Sequence, residues 1–111
     1  MKLSDLQGIF AVNAALLIME INKRGFTCTL GEAYRTSEQA EWYAARGLGI
    51  KDSQHCKRLA IDLMLFKDGV WTTNGEEYKQ FGDFWKTLNA LNRYGGDFTR
   101  QDYVHFEMQE A

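Results

Sequence analysis

Two short segments of this sequence each combine a histidine with an aspartate, and the chain contains no other histidine. The first segment holds His55 and Asp62, and the second holds Asp102 and His105. Asp62 opens the apolar run of residues 63–66 and His105 lies in an alternating run, so we predict that both clusters lie on strands. Each carboxylate in such a run needs a partner, because burying a lone charge costs several kcal/mol or more.

Histidine and aspartate are side chains that hold catalytic zinc, which takes three protein ligands and keeps a further position for water. We therefore expect His55, Asp62 and His105 to bind Zn²⁺. Asp102 would remain free to accept the water's proton as a general base. The residues alone leave an alternative open, in which both histidines are structural and both aspartates lie at the surface or cap local structure.

Several further segments accompany these two clusters and together carry a resemblance to a known family. The segments are Glu32-Ala33-Tyr34-Arg35-Thr36-Ser37-Glu38-Gln39, Ser53-Gln54-His55, Ala60-Ile61-Asp62, Gly95-Gly96-Asp97-Phe98 and Asp102-Tyr103-Val104-His105-Phe106-Glu107. They resemble the zinc peptidases that include D-alanyl-D-alanine carboxypeptidases and the L-alanyl-D-glutamate endopeptidases used as phage endolysins. One position departs from the pattern, because Arg58 stands where many members have glycine. This difference bears on the subfamily rather than on metal binding.

The resemblance implies a zinc metallopeptidase that cuts the stem peptides of bacterial peptidoglycan, with Asp102 as its catalytic base. Two further residues match substrate-binding positions of the family. Arg35 would bind a substrate carboxylate or stabilise the oxyanion, since a guanidinium can donate two parallel hydrogen bonds. Ser53 would shape the loop or hydrogen-bond near the site. The alternative for Arg35 is an ion pair with Asp52, Glu38 or a similar acid.

Glu107 falls on the same face of the last predicted strand as Tyr103 and His105, because alternate residues of a strand share a face. It could orient the His105 ring through a hydrogen bond. An exposed carboxylate on a terminal strand is an equally open interpretation. Ala60 shares a strand face with Asp62 and would leave space there for an ion or a substrate.

Our leading interpretation is an L-alanyl-D-glutamate endopeptidase of the phage endolysin type, because only an internal cut disconnects crosslinked strands. Three alternatives remain open: a D-alanyl-D-alanine carboxypeptidase, a non-catalytic metal- or peptidoglycan-binding module of the same fold, and a purely structural protein. The loops at residues 46–54 and 92–101 would decide which bond is cut. With no signal peptide apparent, we expect the protein in the cytoplasm of an infected bacterial cell before lysis, from where it acts on the cell wall.

The composition predicts one domain over residues 1–111, with 45% hydrophobic and 25% charged residues and a net charge of −2. No run of lysine and arginine is present, so we expect no nucleic-acid partner, and we expect a monomer. Two cysteines are too few for a disulfide framework, and both should be reduced. Cys28 should be buried in a strand, while Cys56, next to His55, is an alternative thiol ligand or nucleophile.

The most apolar stretch near the N-terminus is residues 11–19, which is too short to cross a bilayer. We therefore expect no membrane partner and predict a buried helix instead. Ser4 and Gln7 have the spacing of a capping box, so this helix should begin near residue 5, and Gly25 should end it.

The remaining periodicities predict a single α+β domain, in which a small, mainly antiparallel sheet is flanked by two long helices and a short one. The predicted strands are residues 26–30, 59–66, 70–72 and 103–108, the further helices are residues 37–45 and 76–91, and residues 92–99 are a glycine-rich loop.

Overall fold

The first helix, α1, spans Leu3–Lys23 and presents one apolar face to the core. Its start differs from the prediction, because the backbone N–H of Lys2 donates to the Asp5 carboxylate at 3.0 Å, and Ser4 and Gln7 form no capping box. Helix α1 is long and apolar enough to cross a membrane. The core helix of a soluble protein can have the same length and composition, so these two properties do not distinguish the two cases. Leu17 and Ile21 are fully buried.

The computed structural model describes residues 1–110, and it confirms the prediction of an α+β fold with a small antiparallel sheet and three α-helices. After α1 the elements are β1 Thr27–Leu30, α2 Ser37–Ala45, a 3₁₀ turn Gln54–Lys57, β2 Ala60–Lys67, β3 Val70–Trp71, α3 Gly75–Leu88, β4 Asn92–Tyr94, a 3₁₀ turn Gly95–Asp97 and β5 His105–Met108.

Strand β2 is the centre of the sheet, whose order is β1-β2-β5-β4 with β3 paired to the end of β2. All pairings are antiparallel. The register places Asp62 directly opposite His105 and Ala60 opposite Glu107. This register therefore brings the two predicted clusters together.

Three segments differ from the sequence-based prediction. The predicted loop at residues 92–99 contains strand β4, because Arg93 pairs opposite Glu107 on β5. Strand β5 begins at His105 rather than at residue 103, since the His105 N–H donates to the Asp102 carbonyl and closes a turn. Helix α3 ends at Leu88 instead of residue 91, which frees the chain to enter β4.

Trp85 on α3 joins the helix layer to the part of the sheet that carries the site. Its indole N–H donates to the carbonyl oxygens of Arg93 and Glu107, each at 3.0 Å. Its ring also packs edge-on against Phe10 of α1 and Phe106 of β5. The fully buried Trp85 side chain therefore fixes the β4–β5 pair to the helix layer.

Gly82 on α3 lies against the Tyr94 ring, where an added Cβ would overlap ring atoms. We expect Gly82→Ala to lower the free energy of unfolding by about 1–3 kcal/mol, the usual cost of overpacking a core. Gly8→Ala is the matched control, because Gly8 also lies in a helix but has open space around it. That variant should raise stability by about 0.5–1 kcal/mol. Urea unfolding curves measure both effects, and a Gly82→Ala variant as stable as the parent would contradict the packing.

Candidate metal centre and its cleft

The three predicted ligands come from three different parts of the fold. Asp62 lies on β2 and His105 on β5, directly across the sheet from each other. His55 lies in the 3₁₀ turn Gln54–Lys57, which precedes β2, as the predicted strand bounds of residues 59–66 imply. The turn forms because Ser53 caps it, its hydroxyl oxygen accepting the His55 backbone N–H at 3.2 Å.

Donor atoms of His55, Asp62 and His105 all lie within 4.8 Å of one another. The Asp62 Oδ1 atom is 3.3 Å from His55 Nε2 and 3.3 Å from His105 Nδ1. Two ligands at tetrahedral positions around zinc, each bonded at roughly 2.0–2.1 Å, are about 3.3–3.4 Å apart. The two measured separations fit that geometry, so these residues could hold a metal ion.

Each histidine also has a second contact that orients its remaining ring nitrogen. His105 Nε2 lies 2.7 Å from Glu107 Oε1, and His55 Nδ1 lies 3.5 Å from the Ala33 carbonyl oxygen. When these nitrogens carry the protons, His105 Nδ1 and His55 Nε2 are left as lone-pair donors facing Asp62. These contacts would accept the protons of the tautomers that a metal needs, whereas without a metal the rings also hydrogen-bond to Asp62.

Glu107 is buried at 5% exposure and bridges two partners. One carboxylate oxygen contacts His105, and the other accepts hydrogen bonds from the Arg93 guanidinium. Burial opposes ionisation of Glu107, but His105 and Arg93 outweigh it and lower its pKa. Glu107 is thus a carboxylate that orients His105, and the interpretation as an exposed terminal carboxylate is wrong.

The charges at the centre are strongly coupled. Burial disfavours the Asp62 carboxylate, yet hydrogen bonds with His105 and His55 lower its pKa to about 2. Burial also disfavours the His105 imidazolium, but hydrogen bonds with Asp62 and Glu107 outweigh burial and raise its pKa to about 9. Without a metal, His105 is therefore protonated at neutral pH.

We expect His105 to release about one proton when zinc binds at pH 7, because an imidazole must be neutral to ligate. The number of protons released should depend on pH. It should decrease above pH 9, because His105 has a pKa of about 9 and is already neutral there. Calorimetric titration of metal-free protein in buffers of different ionisation enthalpy measures the number. Glu107→Gln is the comparison variant, since it removes one charge that keeps His105 protonated and should reduce proton release at pH 8. Binding heats that do not depend on the buffer at pH 7 would contradict the assignment.

Asp102 lines the same cleft as the three donors. Its carbonyl accepts the His105 N–H at 3.2 Å, and its own N–H donates to the Gly95 carbonyl at 2.9 Å. Partial burial raises the pKa of Asp102, although the His105 charge lowers it. Its carboxyl group is therefore separate from the metal-binding group and less acidic than usual, which suits a proton acceptor.

Arg35 lines the cleft and forms an ion pair with Glu32, its Nε donating to Oε1 at 2.7 Å. The alternative of an ion pair with a nearby acid is thus confirmed, and the acid is Glu32 rather than Asp52 or Glu38. The guanidinium also lies over the Tyr43 ring, 5.0 Å from the ring centroid. The Arg35 backbone N–H donates to the His55 carbonyl at 3.2 Å, which links this segment to the metal centre.

The two cysteines are unpaired and stand outside the metal-binding group. Cys56 directs its thiol to the Thr36 carbonyl at 3.9 Å, and it does not line the cleft. The alternative of Cys56 as a ligand or nucleophile therefore has no geometric support. Cys28 is half-buried in β1, and burial raises the pKa of its thiol.

The cleft has a volume of about 440 Å³ and is lined by both loops that were expected to decide specificity. Leu48 and Ile50 contribute exposed apolar side chains, while Arg93 and Arg100 contribute guanidinium groups. Arg100 donates to the Gly47 carbonyl at 3.3 Å, so the two loops touch. Sequence reasoning missed these four residues and Glu32. Arg93 pairs with Glu107 across strands β4 and β5. The sequence did not predict β4, because its segment is rich in glycine.

Comparisons with known proteins show the family of the chain and structures with a similar fold. The D-alanyl-D-alanine carboxypeptidase family matches residues 46–108, which is more than half of the chain. This range contains His55, Asp62, Asp102 and His105, whereas Arg35 lies outside it. No curated protein matches the chain.

Two solved structures share the fold. The L-Ala D-Glu endopeptidase ChiX of Serratia marcescens is similar with a TM-score of 0.66 and 19% sequence identity, covering 75% of this chain and 67% of that one. The vancomycin resistance D,D-pentapeptidase VanY, from a VanB-type resistance cassette and in complex with Zn(II), is similar with a TM-score of 0.62 and 18% identity. That match covers 89% of this chain and 70% of the VanY chain.

Proposed function

We propose that this chain, which belongs to the D-alanyl-D-alanine carboxypeptidase family, is a zinc-dependent peptidoglycan hydrolase that cuts the L-alanyl-D-glutamate bond of the stem peptide. The observation that carries the proposal is the convergence of His55, Asp62 and His105 in an open cleft that Asp102 also lines. Three ligands with one free carboxylate is the arrangement that zinc-assisted hydrolysis requires.

The protein's own residues divide the catalytic work. Zinc, when bound, supplies Lewis-acid activation of a water molecule and of the scissile carbonyl. Asp102 accepts the proton of the attacking water and returns it to the leaving amine. Glu107 holds His105 in the ligating tautomer, and Arg93 keeps Glu107 ionised.

Arg35 would bind a carboxylate of the substrate. Its pairing with Glu32 uses two of its nitrogens on one carboxylate oxygen. A guanidinium has five N–H donors, so donors remain for the substrate. Ser53 is 4% exposed and caps the His55 turn, which supports a role in shaping the loop.

The choice of bond rests on the lining of the cleft. The L-alanyl-D-glutamate bond joins a small apolar residue to one with a free carboxylate. Leu48 and Ile50 offer apolar contact to the alanine side, and Arg100, which has no carboxylate partner among residues 1–110, offers charge to the substrate carboxylate. ChiX, which has a similar fold, is named as an endopeptidase of this specificity. An internal cut of this kind disconnects crosslinked strands. The proposed role is therefore that of a phage endolysin, which acts on the cell wall from the cytoplasm of an infected cell.

A D-alanyl-D-alanine carboxypeptidase is the second candidate, because the family carries that description and a cleft with several guanidinium groups also suits a terminal carboxylate. The experiment that separates the candidates is digestion of purified peptidoglycan by the zinc-loaded protein, followed by mass spectrometry of the new termini. We expect new D-glutamate amino groups and free L-alanine carboxyl ends. Release of D-alanine alone would support the carboxypeptidase, and intact peptidoglycan with zinc bound would support a binding module.

A further inference from the structure

A second concave surface lies next to the metal cleft, on the outer side of α2. It has a volume of about 470 Å³ and is lined by Thr36, Glu38, Gln39, Trp42 and Tyr43. The surface therefore contains two aromatic rings, a hydroxyl, a carboxylate and an amide. None of them belongs to the metal centre.

Trp42 is the dominant feature of this surface. Its side chain is 49% exposed, although an indole contributes more to stability when it is buried. The Arg46 guanidinium lies 3.8 Å from the indole centroid and donates to the Trp42 carbonyl, and the Tyr43 ring packs edge-on at 5.4 Å. Arg46 therefore covers one face of the indole and Tyr43 packs against it edge-on, while about half of the residue's surface faces solvent.

Two of the three polar side chains on the same surface lack side-chain partners in the part of the chain that the structure describes. Within residues 1–110, neither the Glu38 carboxylate nor the Gln39 amide has a side-chain hydrogen bond or ion pair. Thr36 caps α2 by accepting the Gln39 backbone N–H at 3.1 Å, which fixes where the first turn lies. An exposed aromatic ring beside free amide and carboxylate groups has the chemistry to bind a pyranose. The ring would stack on the C–H face of the sugar, and the polar groups would hydrogen-bond to its hydroxyls.

The second surface adjoins the metal cleft through neighbouring residues. Arg35 lines the cleft, and its chain neighbour Thr36 lines the second surface. Tyr43 lines the second surface while the Arg35 guanidinium lies over its ring. The contact between Arg35 and Tyr43 therefore joins the cleft to the second surface.

We infer that the surface formed by Thr36, Glu38, Gln39, Trp42 and Tyr43 binds an amino sugar of the glycan strand that carries the stem peptide. This inference rests on the proposed function, because L-alanine is the residue attached to that sugar. One extended residue spans about 3.5 Å, so an enzyme that cuts after L-alanine must accommodate the sugar just outside its cleft. An enzyme that removes the terminal D-alanine works several residues farther from the glycan and does not need this surface.

The test compares two substrates in the zinc-loaded enzyme: a stem peptide linked to its sugar, and the same peptide with an N-acetyl group in place of the sugar. We expect the parent to prefer the sugar-linked substrate. In Trp42→Ala the ratio of the two kcat/KM values should fall about fivefold to tenfold, the size expected for loss of one aromatic stacking contact. Trp42→Phe, which keeps an aromatic face, should retain most of the preference.

Trp71→Ala is the matched control, because Trp71 is 55% exposed and lines neither surface. It should leave the ratio at the parent value. Gln39→Ala provides a second variant that does not alter the aromatic pair, and it should lower the ratio in the same direction. A ratio that is unchanged in Trp42→Ala, or that falls equally in Trp71→Ala, would overturn the inference.

A separate measurement keeps this inference distinct from the proposed function. If the parent hydrolyses neither substrate, the proposed function fails, and the sugar site is then judged by titrating the peptide-free wall disaccharide into parent and Trp42→Ala protein by NMR. Shifts that require Trp42 would support the site without any catalysis. Absence of such shifts in the parent would overturn it.

Discussion

Replacing Asp62 with alanine is expected to leave the purified protein without stoichiometric zinc and without peptidase activity. The Asp62 carboxylate lies 3.3 Å from a ring nitrogen of each histidine, and no other carboxylate joins the group of donors that the structure describes. Loss of an outer partner of a metal ligand typically costs about 10–100-fold in affinity, and loss of the ligand itself should cost more. His55→Ala and His105→Ala should have the same result.

Elemental analysis of dialysed protein measures the zinc content, and circular dichroism verifies that each variant is folded. Asp52→Ala is the matched control, because Asp52 lines the same cleft but lies outside the group of donors. It should retain zinc at the parent level. Full zinc occupancy in the three alanine variants would reject the ligand assignment.

Asp102→Ala should separate metal binding from catalysis. Since Asp102 lines the cleft without belonging to the donor group, the variant should bind zinc as the parent does. Its turnover should fall by about 10²-fold or more, the usual contribution of a general base. Asp102→Asn, which preserves the shape of the side chain, should lose a similar factor.

The pH profile offers a second measure of the same residue. Partial burial raises the pKa of Asp102, and only its carboxylate form can accept a proton. The parent's kcat/KM should therefore rise with pH through that raised pKa, and this limb should be absent in Asp102→Asn.

Asp97→Ala is the control for this experiment, because Asp97 lies in the neighbouring 3₁₀ turn, pairs with Lys86 and does not line the cleft. It should hydrolyse peptidoglycan at the parent rate. If zinc-loaded Asp102→Ala does so as well, another group is the base, and Glu107 is the next carboxylate of the cleft to replace.

The sequence alone nominated the candidate site residues, because residue type and spacing are local information. Two histidines with nearby aspartates, read with the family resemblance, were sufficient to nominate His55, Asp62, His105 and Asp102. Long periodic elements were equally predictable. Helix α2 spans the predicted residues, and β2 is displaced by a single residue, since both follow from hydrophobic period and capping.

Contacts between distant segments were decided by the tertiary structure. Strand β4 has only three residues in a glycine-rich stretch, and it forms because β5 supplies its hydrogen-bond partners. The pairing of Arg35 with Glu32 instead of Asp52 or Glu38 likewise depends on how the segment after β1 folds against the His55 turn.

The decisive feature of the site is the register that places Asp62 opposite His105 and sets Arg93 beside Glu107. A strand's own alternation specifies which residues share a face, but it does not specify which residue of another strand lies across from them. That choice is made by backbone hydrogen bonds across the sheet and by burial of the opposite face on α3. The sequence by itself therefore determined which side chains could bind zinc, and only the folded sheet determined that their donor atoms converge.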